Sequence, residues 1–111
     1  MSELRKYMVE FLKVLADATR LEILDLLRNS EKNSAEIQKE LRRSQSTISK
    51  HLNMLFENNL ISFERKENIR YYKIKNMNIF NLLSNINLIV TDINKEKLKD
   101  LWDVDIYDTL S

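Results

Sequence analysis

The 111-residue chain contains neither glycine nor proline, and this restricts how its backbone can turn. Glycine is the residue that most readily adopts a positive φ, so other residues must form every tight turn here. We expect Asn, Asp, Ser and Lys to do so, with Asn taking the left-handed conformation most readily. The candidate turn pairs are Arg42-Arg43, Asn58-Asn59 and Glu67-Asn68. The elements between the turns are therefore identified from hydrophobic periodicity.

Apolar residues recur with a helical period in five stretches. They predict helices over residues 3–16, 18–29, 34–41 and 45–58, and a last helix from 78 to either 94 or 102. A short helix followed by a tight turn and a longer helix is the pattern of a helix–turn–helix unit.

Polar residues precede three of these helices at the positions expected for N-caps. Asp17, Asn33 and Ser44 each have a short side chain that can accept a hydrogen bond from the first helical turn. Glu36 follows Asn33 by three residues, which is the spacing of a capping box. These signals predict where the second, third and fourth helices begin.

The hydrophobic period changes between the fourth and fifth helices. Residues 61–64 and 72–75 alternate apolar and polar side chains, which is typical of strands, and Glu67-Asn68 lies at the expected tip. The element order predicts a mainly α (α+β) winged helix–turn–helix with a two-stranded β-hairpin wing. We expect residues 1–94 to form one domain, and residues 95–111 an acidic C-terminal helix or tail.

The helix predicted over residues 45–58 has an unusual polar face. Ile48, Leu52 and Leu55 share a core-facing stripe, at positions i, i+4 and i+7. The remaining surface carries short polar side chains and one lysine, which suit close approach to base edges and phosphates. The candidate base-reading residues are Gln45, Ser46, Thr47, Ser49 and Lys50. A solvated polar face on a fold that no longer binds DNA is the alternative interpretation.

Basic residues are concentrated around this helix although the whole chain carries a net charge of only +1. Residues 42–75 hold eight basic and three acidic side chains, a net charge of +5. Such a local positive segment is typical of a nucleic-acid interface. The candidate contacts to the DNA backbone are Arg43, Arg65, Lys66 and Arg70. The hairpin charges could also serve to discourage edge-to-edge pairing of strands.

Four segments resemble the ArsR-type repressors of bacteria and archaea. Residues 15–24, LADATRLEIL, resemble the family signature before its helix–turn–helix, and residues 44–52, SQSTISKHL, resemble its recognition helix. Residues 59–61, NLI, stand where the family often has GLV, and residues 70–74, RYYKI, resemble its wing strand. The resemblance covers roughly residues 10–76 and implies a dimeric repressor that binds an inverted repeat, near its own promoter.

Two apolar stripes, at residues 4–15 and 79–93, exceed what one small core can cover. In the family that the chain resembles, the first and last helices form the dimer interface. The predicted interface residues are Leu4, Met8, Phe11, Leu12, Ile79, Leu82, Leu83, Ile86, Ile89 and Val90. Burial of both stripes within a single chain is the alternative.

His51 is the only histidine, and the chain has no cysteine. His51 is a candidate for a phosphate contact, or for a boundary residue that holds the helix–turn–helix together. Without thiols or a second histidine we expect no metal site, no cofactor and no response to thiophilic metals or oxidants. With no glycine-rich loop either, we find no catalytic nucleophile–base pair or phosphate cradle and predict that the chain is not an enzyme.

The acidic residues cluster at the C-terminal end, where Asp103, Asp105 and Asp108 predict a solvated tail. If an unidentified effector acts, we expect a small molecule, or a protein that binds residues 100–108. Constitutive repression set by protein concentration is the simpler expectation. No signal-like segment or long apolar run is evident, so we expect cytoplasmic location and no membrane partner.

Two functions remain open from the sequence. The first is a sequence-specific DNA-binding regulator that binds double-stranded DNA as a homodimer. The alternative is a winged-helix protein–protein interaction module without DNA binding. The +5 charge of residues 42–75 favours the first, because a protein-binding module has no need of it.

Overall fold

The computed structural model describes residues 2–100 of the chain. The helices are α1 (Ser2–Leu15), α2 (Ala18–Leu26), α3 (Ser34–Leu41), α4 (Gln45–Glu57) and α5 (Asn78–Ile93), and the strands are β1 (Lys32–Asn33), β2 (Ile61–Lys66) and β3 (Ile69–Ile74). This is the mainly helical winged helix–turn–helix that the periodicity predicts. The second helix ends at Leu26, earlier than expected.

The three N-caps form as predicted. Asp17 accepts a hydrogen bond from the backbone N–H of Arg20, and Asn33 and Glu36 make the two reciprocal bonds of a capping box, both at 2.9 Å. These bonds satisfy N–H groups that a helix cannot pair internally. Local side-chain chemistry therefore fixes where α2 and α3 begin.

The sheet has three antiparallel strands in the order β1-β3-β2, one more than the predicted two-stranded wing. The additional strand β1 is two residues long: Lys32 pairs with Tyr72, and Asn33 with Tyr71. A strand this short shows no alternation in the sequence, so the segment resembles a loop when it is examined alone. Its pairing joins the hairpin to the residue that caps α3.

Four residues with positive φ make the turns: Arg42 (56°), Asn59 (62°), Glu67 (54°) and Asn68 (67°). All four lie in segments predicted to be turns, although Arg42 and Glu67 are not among the residue types, Asn, Asp, Ser and Lys, that we expect to make them. Both lie where the chain must reverse within a residue or two. The topology imposes the left-handed conformation there despite its cost of roughly 1–2 kcal/mol.

The helix–turn–helix and the sheet share one apolar core. Seven large side chains of this core are almost completely buried: Ile23, Leu24, Ile37, Ile48, Leu52, Leu55 and Ile61. Three of them form the predicted stripe of α4, which therefore has one face in the core and the other in solvent.

The chain divides into two compact units at the boundary between Asn76 and Met77. The first contains α1 to β3, and the second begins with α5, which ends at Ile93 with Asn94 as its C-cap. Residues 95–100 are helical again. The predicted acidic cluster of Asp103, Asp105 and Asp108, and the extension to residue 102, lie outside the described residues.

Candidate nucleic-acid interface

The N-terminus of α4 is organised by three hydroxyl groups. Ser44 Oγ accepts from the backbone N–H of Thr47 at 3.2 Å and donates to Thr47 Oγ1 at 2.9 Å. Ser46 Oγ lies 3.2 Å from the same Ser44 oxygen. The cap therefore restrains both neighbouring hydroxyls before any ligand arrives, which lowers the entropy lost when they bind.

The predicted base-reading residues lie together along the solvent side of α4. Gln45, Ser46 and Lys50 are exposed, and Thr47 and Ser49 are half-buried at the border of the core. Ile48, between Thr47 and Ser49 in the sequence, is fully buried in the core. Its burial leaves the polar side of α4 facing solvent. The arrangement presents an amide, hydroxyls and an ammonium group on one convex surface.

Arg43 lies in the turn between α3 and α4 and is already paired. Its guanidinium donates to Glu22 of α2 at 3.3 Å, with both side chains about half exposed. An exposed pair of this kind contributes little stability and exchanges readily for another anion. Arg43 therefore can leave Glu22 for a phosphate group.

His51 occupies an inward position, different from that of the other candidates on α4. Its side chain is largely buried, and Arg20 donates from Nη1 to His51 Nδ1 at 3.0 Å. Because a guanidinium only donates, Nδ1 must be an acceptor and the ring must be neutral with its proton on Nε2. This position fits the hypothesis of a boundary residue, and a phosphate contact from His51 would have to come from Nε2.

Burial is the main reason why the pKa of His51 lies below its ordinary value of 6.5. The positive charges of Arg20, Lys50 and Arg43 lower this pKa further, and the carboxylate of Asp17 opposes them. The contact of 3.8 Å between His51 Nδ1 and Asp17 Oδ1 is therefore not an ion pair at neutral pH. The backbone N–H of Arg20 is in turn the main cause of a lowered pKa for Asp17.

The wing cations divide between the two faces of the hairpin. Arg65 and Arg70 are directly opposite each other across β2 and β3, on the face that also carries Phe63. The guanidinium of Arg70 lies 4.5 Å from the centre of the Phe63 ring. Within residues 2–100, neither arginine has a carboxylate partner.

Lys66 and Lys73 are on the other face, and each one is paired. Lys66 donates to Glu31 at 3.0 Å, and Lys73 donates to Glu64 at 2.9 Å. The hydrogen bond that Lys66 donates to Glu31 raises the pKa of Lys66, and the bond that Glu64 accepts from Lys73 lowers the pKa of Glu64. The predicted contact of Lys66 with DNA would therefore have to replace its ion pair with Glu31. A contact of Arg65 with DNA would replace no such pair among residues 2–100.

Both predicted apolar stripes contain exposed residues, each within its own unit. On α1, Leu4, Met8 and Leu12 are half or more exposed, and Phe11 is half-buried. On α5, Ile86, Ile89 and Val90 are exposed, and Leu82 and Leu83 are half-buried. Ile79 differs from the other predicted interface residues because only 4% of it is exposed in the single chain.

The described part of the chain offers neither a cluster of metal-binding side chains nor a membrane-spanning helix. Among residues 2–100, no group of three or more His, Cys, Asp and Glu side chains could hold a metal ion. No helix in the same range is long and apolar enough to cross a bilayer.

A helix–turn–helix with an outward polar helix and an arginine-bearing wing defines the class of DNA-binding transcriptional regulators with a winged helix. Residues 17–62 match the family described as bacterial regulatory protein, arsR family. The chain is 36% identical over 83 residues to the transcriptional repressor SdpR of Bacillus subtilis (strain 168), covering 75% of this chain and 89% of that one. The protein belongs to the arsR family.

Two further likenesses agree with this assignment. The arsenical resistance operon repressor of Staphylococcus aureus is 33% identical over 86 residues, covering 78% of this chain and 83% of the relative. The homodimeric winged helix-turn-helix DNA-binding domain Mb0332 (fragment 1–100) of Mycobacterium bovis superposes with a TM-score of 0.73 at 25% identity. That superposition covers 82% of this chain and 84% of the domain.

Two residues of the site were missed at the level of sequence. Arg20 lies in the segment that resembles the family signature, but nothing local indicates that it contacts a residue 31 positions away. Glu31 lies 35 positions from Lys66 and next to a strand too short to predict. For Arg20, the resemblance of residues 15–24 to the family signature is the one signal in the sequence. For Glu31 there is none.

Proposed function

We propose that the protein is a transcriptional repressor that binds an inverted-repeat DNA duplex as a homodimer. The observation that carries the proposal is the polar side of α4, held outward by its buried stripe at the exposed end of the helix–turn–helix. Gln45, Ser46, Thr47, Ser49 and Lys50 would read bases and nearby phosphates in the major groove. Repression is supported by the names of the two bacterial relatives.

The wing and the turn would supply contacts to the DNA backbone. Arg65 and Arg70 are directly opposite each other, no carboxylate among residues 2–100 pairs with either, and like charges in such positions repel. A phosphate group near both guanidinium groups would remove that repulsion. Arg43 and Lys66 would add contacts by exchanging Glu22 and Glu31 for phosphate.

A homodimer would account for the exposed apolar residues of α1 and α5. The homodimeric Mycobacterium bovis domain supports this assembly. Two-fold symmetry requires two half-sites on the DNA, with centres one helical turn, about 34–36 Å, apart. The operator would therefore be an inverted repeat.

The test is selection of bound duplexes from a random pool, followed by affinity measurement with the selected operator. Replacing Ser46→Glu and Ser49→Glu together places two negative charges against the DNA, and we expect affinity to fall at least a hundredfold. The matched control is Asn81→Glu with Ser84→Glu, which adds the same charge at exposed positions on α5. Unchanged circular dichroism of both variants shows that the fold is retained. Retained affinity of the α4 variant, or no enrichment of any duplex, would instead favour a protein-binding module.

A further inference from the structure

Arg20 joins the C-terminal end of α1 to the recognition helix through its three guanidinium nitrogens. Nε donates to the carbonyl oxygen of Val14, Nη2 donates to that of Lys13 at 3.4 Å, and Nη1 donates to His51 Nδ1 at 3.0 Å. The first two acceptors are carbonyl groups in the last turn of α1. The third belongs to a side chain in the middle of α4.

The contacts at α1 are favourable for two reasons. The last four carbonyl groups of a helix have no partner within the helix, so a side-chain donor is needed there. A positive charge also interacts well with the negative end of the helix dipole. The guanidinium of Arg20 is part-buried, and Arg20 belongs to α2. This helix therefore connects the other two through one side chain.

The contact at α4 depends on a neutral histidine ring. His51 follows Lys50 directly and lies one turn after Thr47, so any rotation of α4 at His51 moves the base-reading side chains. Asp17, the N-cap of α2, lies close to the same ring atom, with its Oδ1 3.8 Å from Nδ1. The orientation of His51 is therefore determined by α2 and its N-cap as well as by packing in the core.

We propose that Arg20 is a positioning residue for DNA recognition: it sets the orientation of α4 relative to α1 through its bond to His51, without contacting DNA. The effect of Arg20 on DNA affinity rests on the proposed function, whereas its effect on the orientation of α4 relative to α1 does not. The apolar side of α1 belongs to the proposed dimer face, so the same guanidinium links that face to the DNA-reading helix.

The test measures helix geometry directly and without DNA. The chain has no cysteine, so Lys6→Cys on α1 and Asn53→Cys on α4 provide two unique sites for spin labels at exposed positions. The distance distribution is measured by pulsed electron resonance, with labelled protein diluted in unlabelled protein to suppress distances between protomers. We expect a narrow distribution in the parent protein and at least a doubled width after Arg20→Met.

Variants at His51 separate the specific bond from general packing. His51→Asn keeps an acceptor close to the position of Nδ1 and should retain the narrow distribution, whereas His51→Leu removes the acceptor and should broaden it. Combining Arg20→Met with His51→Leu should broaden the distribution no further than Arg20→Met alone, since Arg20→Met already removes the bond to His51. Arg28→Met is the control for charge, because it removes an arginine just beyond the end of α2.

Affinity for the selected operator is then measured on the same proteins. We expect at least a tenfold loss with Arg20→Met and His51→Leu, and less than a threefold loss with His51→Asn and Arg28→Met. An unchanged label distribution after Arg20→Met would overturn the positioning role, whatever the affinities are. If the parent protein binds no duplex, the proposed function fails, and the label distances still decide the role of Arg20.

Discussion

Arg65 and Arg70 are cross-strand partners on β2 and β3, and within residues 2–100 neither has a carboxylate to neutralise it. Two guanidinium groups in this relation repel each other in the free protein. The electrostatic free energy of the wing is therefore higher without a bound anion than with one. This identifies the pair as the part of the wing that gains most from a phosphate group.

The first prediction concerns this pair. Arg65→Ala and Arg70→Ala should each weaken binding about equally for matched and mismatched operators, because phosphate contacts carry no base information. Each should also reduce the slope of log K against log salt by about 1. Lys73→Ala is the control: Lys73 is paired with Glu64, so its removal should change the slope less. Equal slopes for all three variants and the parent would contradict the assignment.

The second prediction concerns pH. The pKa of His51 is below 6.5 in the folded protein, mainly because of burial, so the unfolded chain binds a proton more tightly. The free energy of unfolding should be fully retained above pH 6.5 and should fall as pH drops from 6.5 toward the lower folded-state pKa. Urea unfolding of the parent at pH 7.5 and pH 5.5 measures this loss.

His51→Asn is the variant that isolates this histidine. It cannot titrate, so its stability should change less between the same two pH values, while the contribution of the carboxylates stays the same in both proteins. An identical loss in parent and variant would show that protonation of His51 does not destabilise the fold.

The third prediction concerns the tip of the wing. Glu67 and Asn68 both have positive φ, but asparagine tolerates this conformation better than glutamate. Glu67→Gly should therefore raise the free energy of unfolding by about 0.5–1 kcal/mol. Asn68→Gly should raise it by less. Urea unfolding at one fixed protein concentration gives the comparison, and a larger gain from Asn68→Gly would be inconsistent with this account.

The fourth prediction tests the proposed dimer. Ile89 is 57% exposed on the apolar stripe of α5, and the adjacent Leu88 is 68% exposed and lies outside that stripe. Ile89→Glu should produce monomers at tens of micromolar in sedimentation, because it buries a charge in the interface. Leu88→Glu should leave the dimer intact. A parent protein that sediments as a monomer would remove the basis of the prediction.

The fifth prediction concerns the signal. Thiophilic metals and oxidants act on thiolates, and this sequence contains no cysteine. Arsenite, cadmium and peroxide at micromolar concentrations should leave operator affinity within twofold, in a buffer free of added thiols. A tenfold loss with any of them would contradict the prediction. Zinc is titrated in the same way, since carboxylates can bind it without a thiol, and a tenfold loss with zinc would equally contradict the prediction.

Local chemistry explains most of what could be predicted from the sequence. The Asn33–Glu36 capping box and the Glu67-Asn68 turn each depend on residues within four positions of one another, and both are present. The Arg20–His51 and Glu31–Lys66 contacts join residues more than 30 positions apart. Such pairs follow from how elements pack in three dimensions, and periodicity contains no information about them.

Asn33 has two roles at once: it is the last residue of β1, and it caps α3. No spacer residue separates β1 from α3, so the backbone at this junction cannot absorb a change in length. An insertion here would shift the sheet against the helix–turn–helix and break the capping box. The wing tip can lengthen without such an effect. Over evolutionary time, we expect the length of the chain to vary at residues 67–68 and to stay constant at residues 31–34.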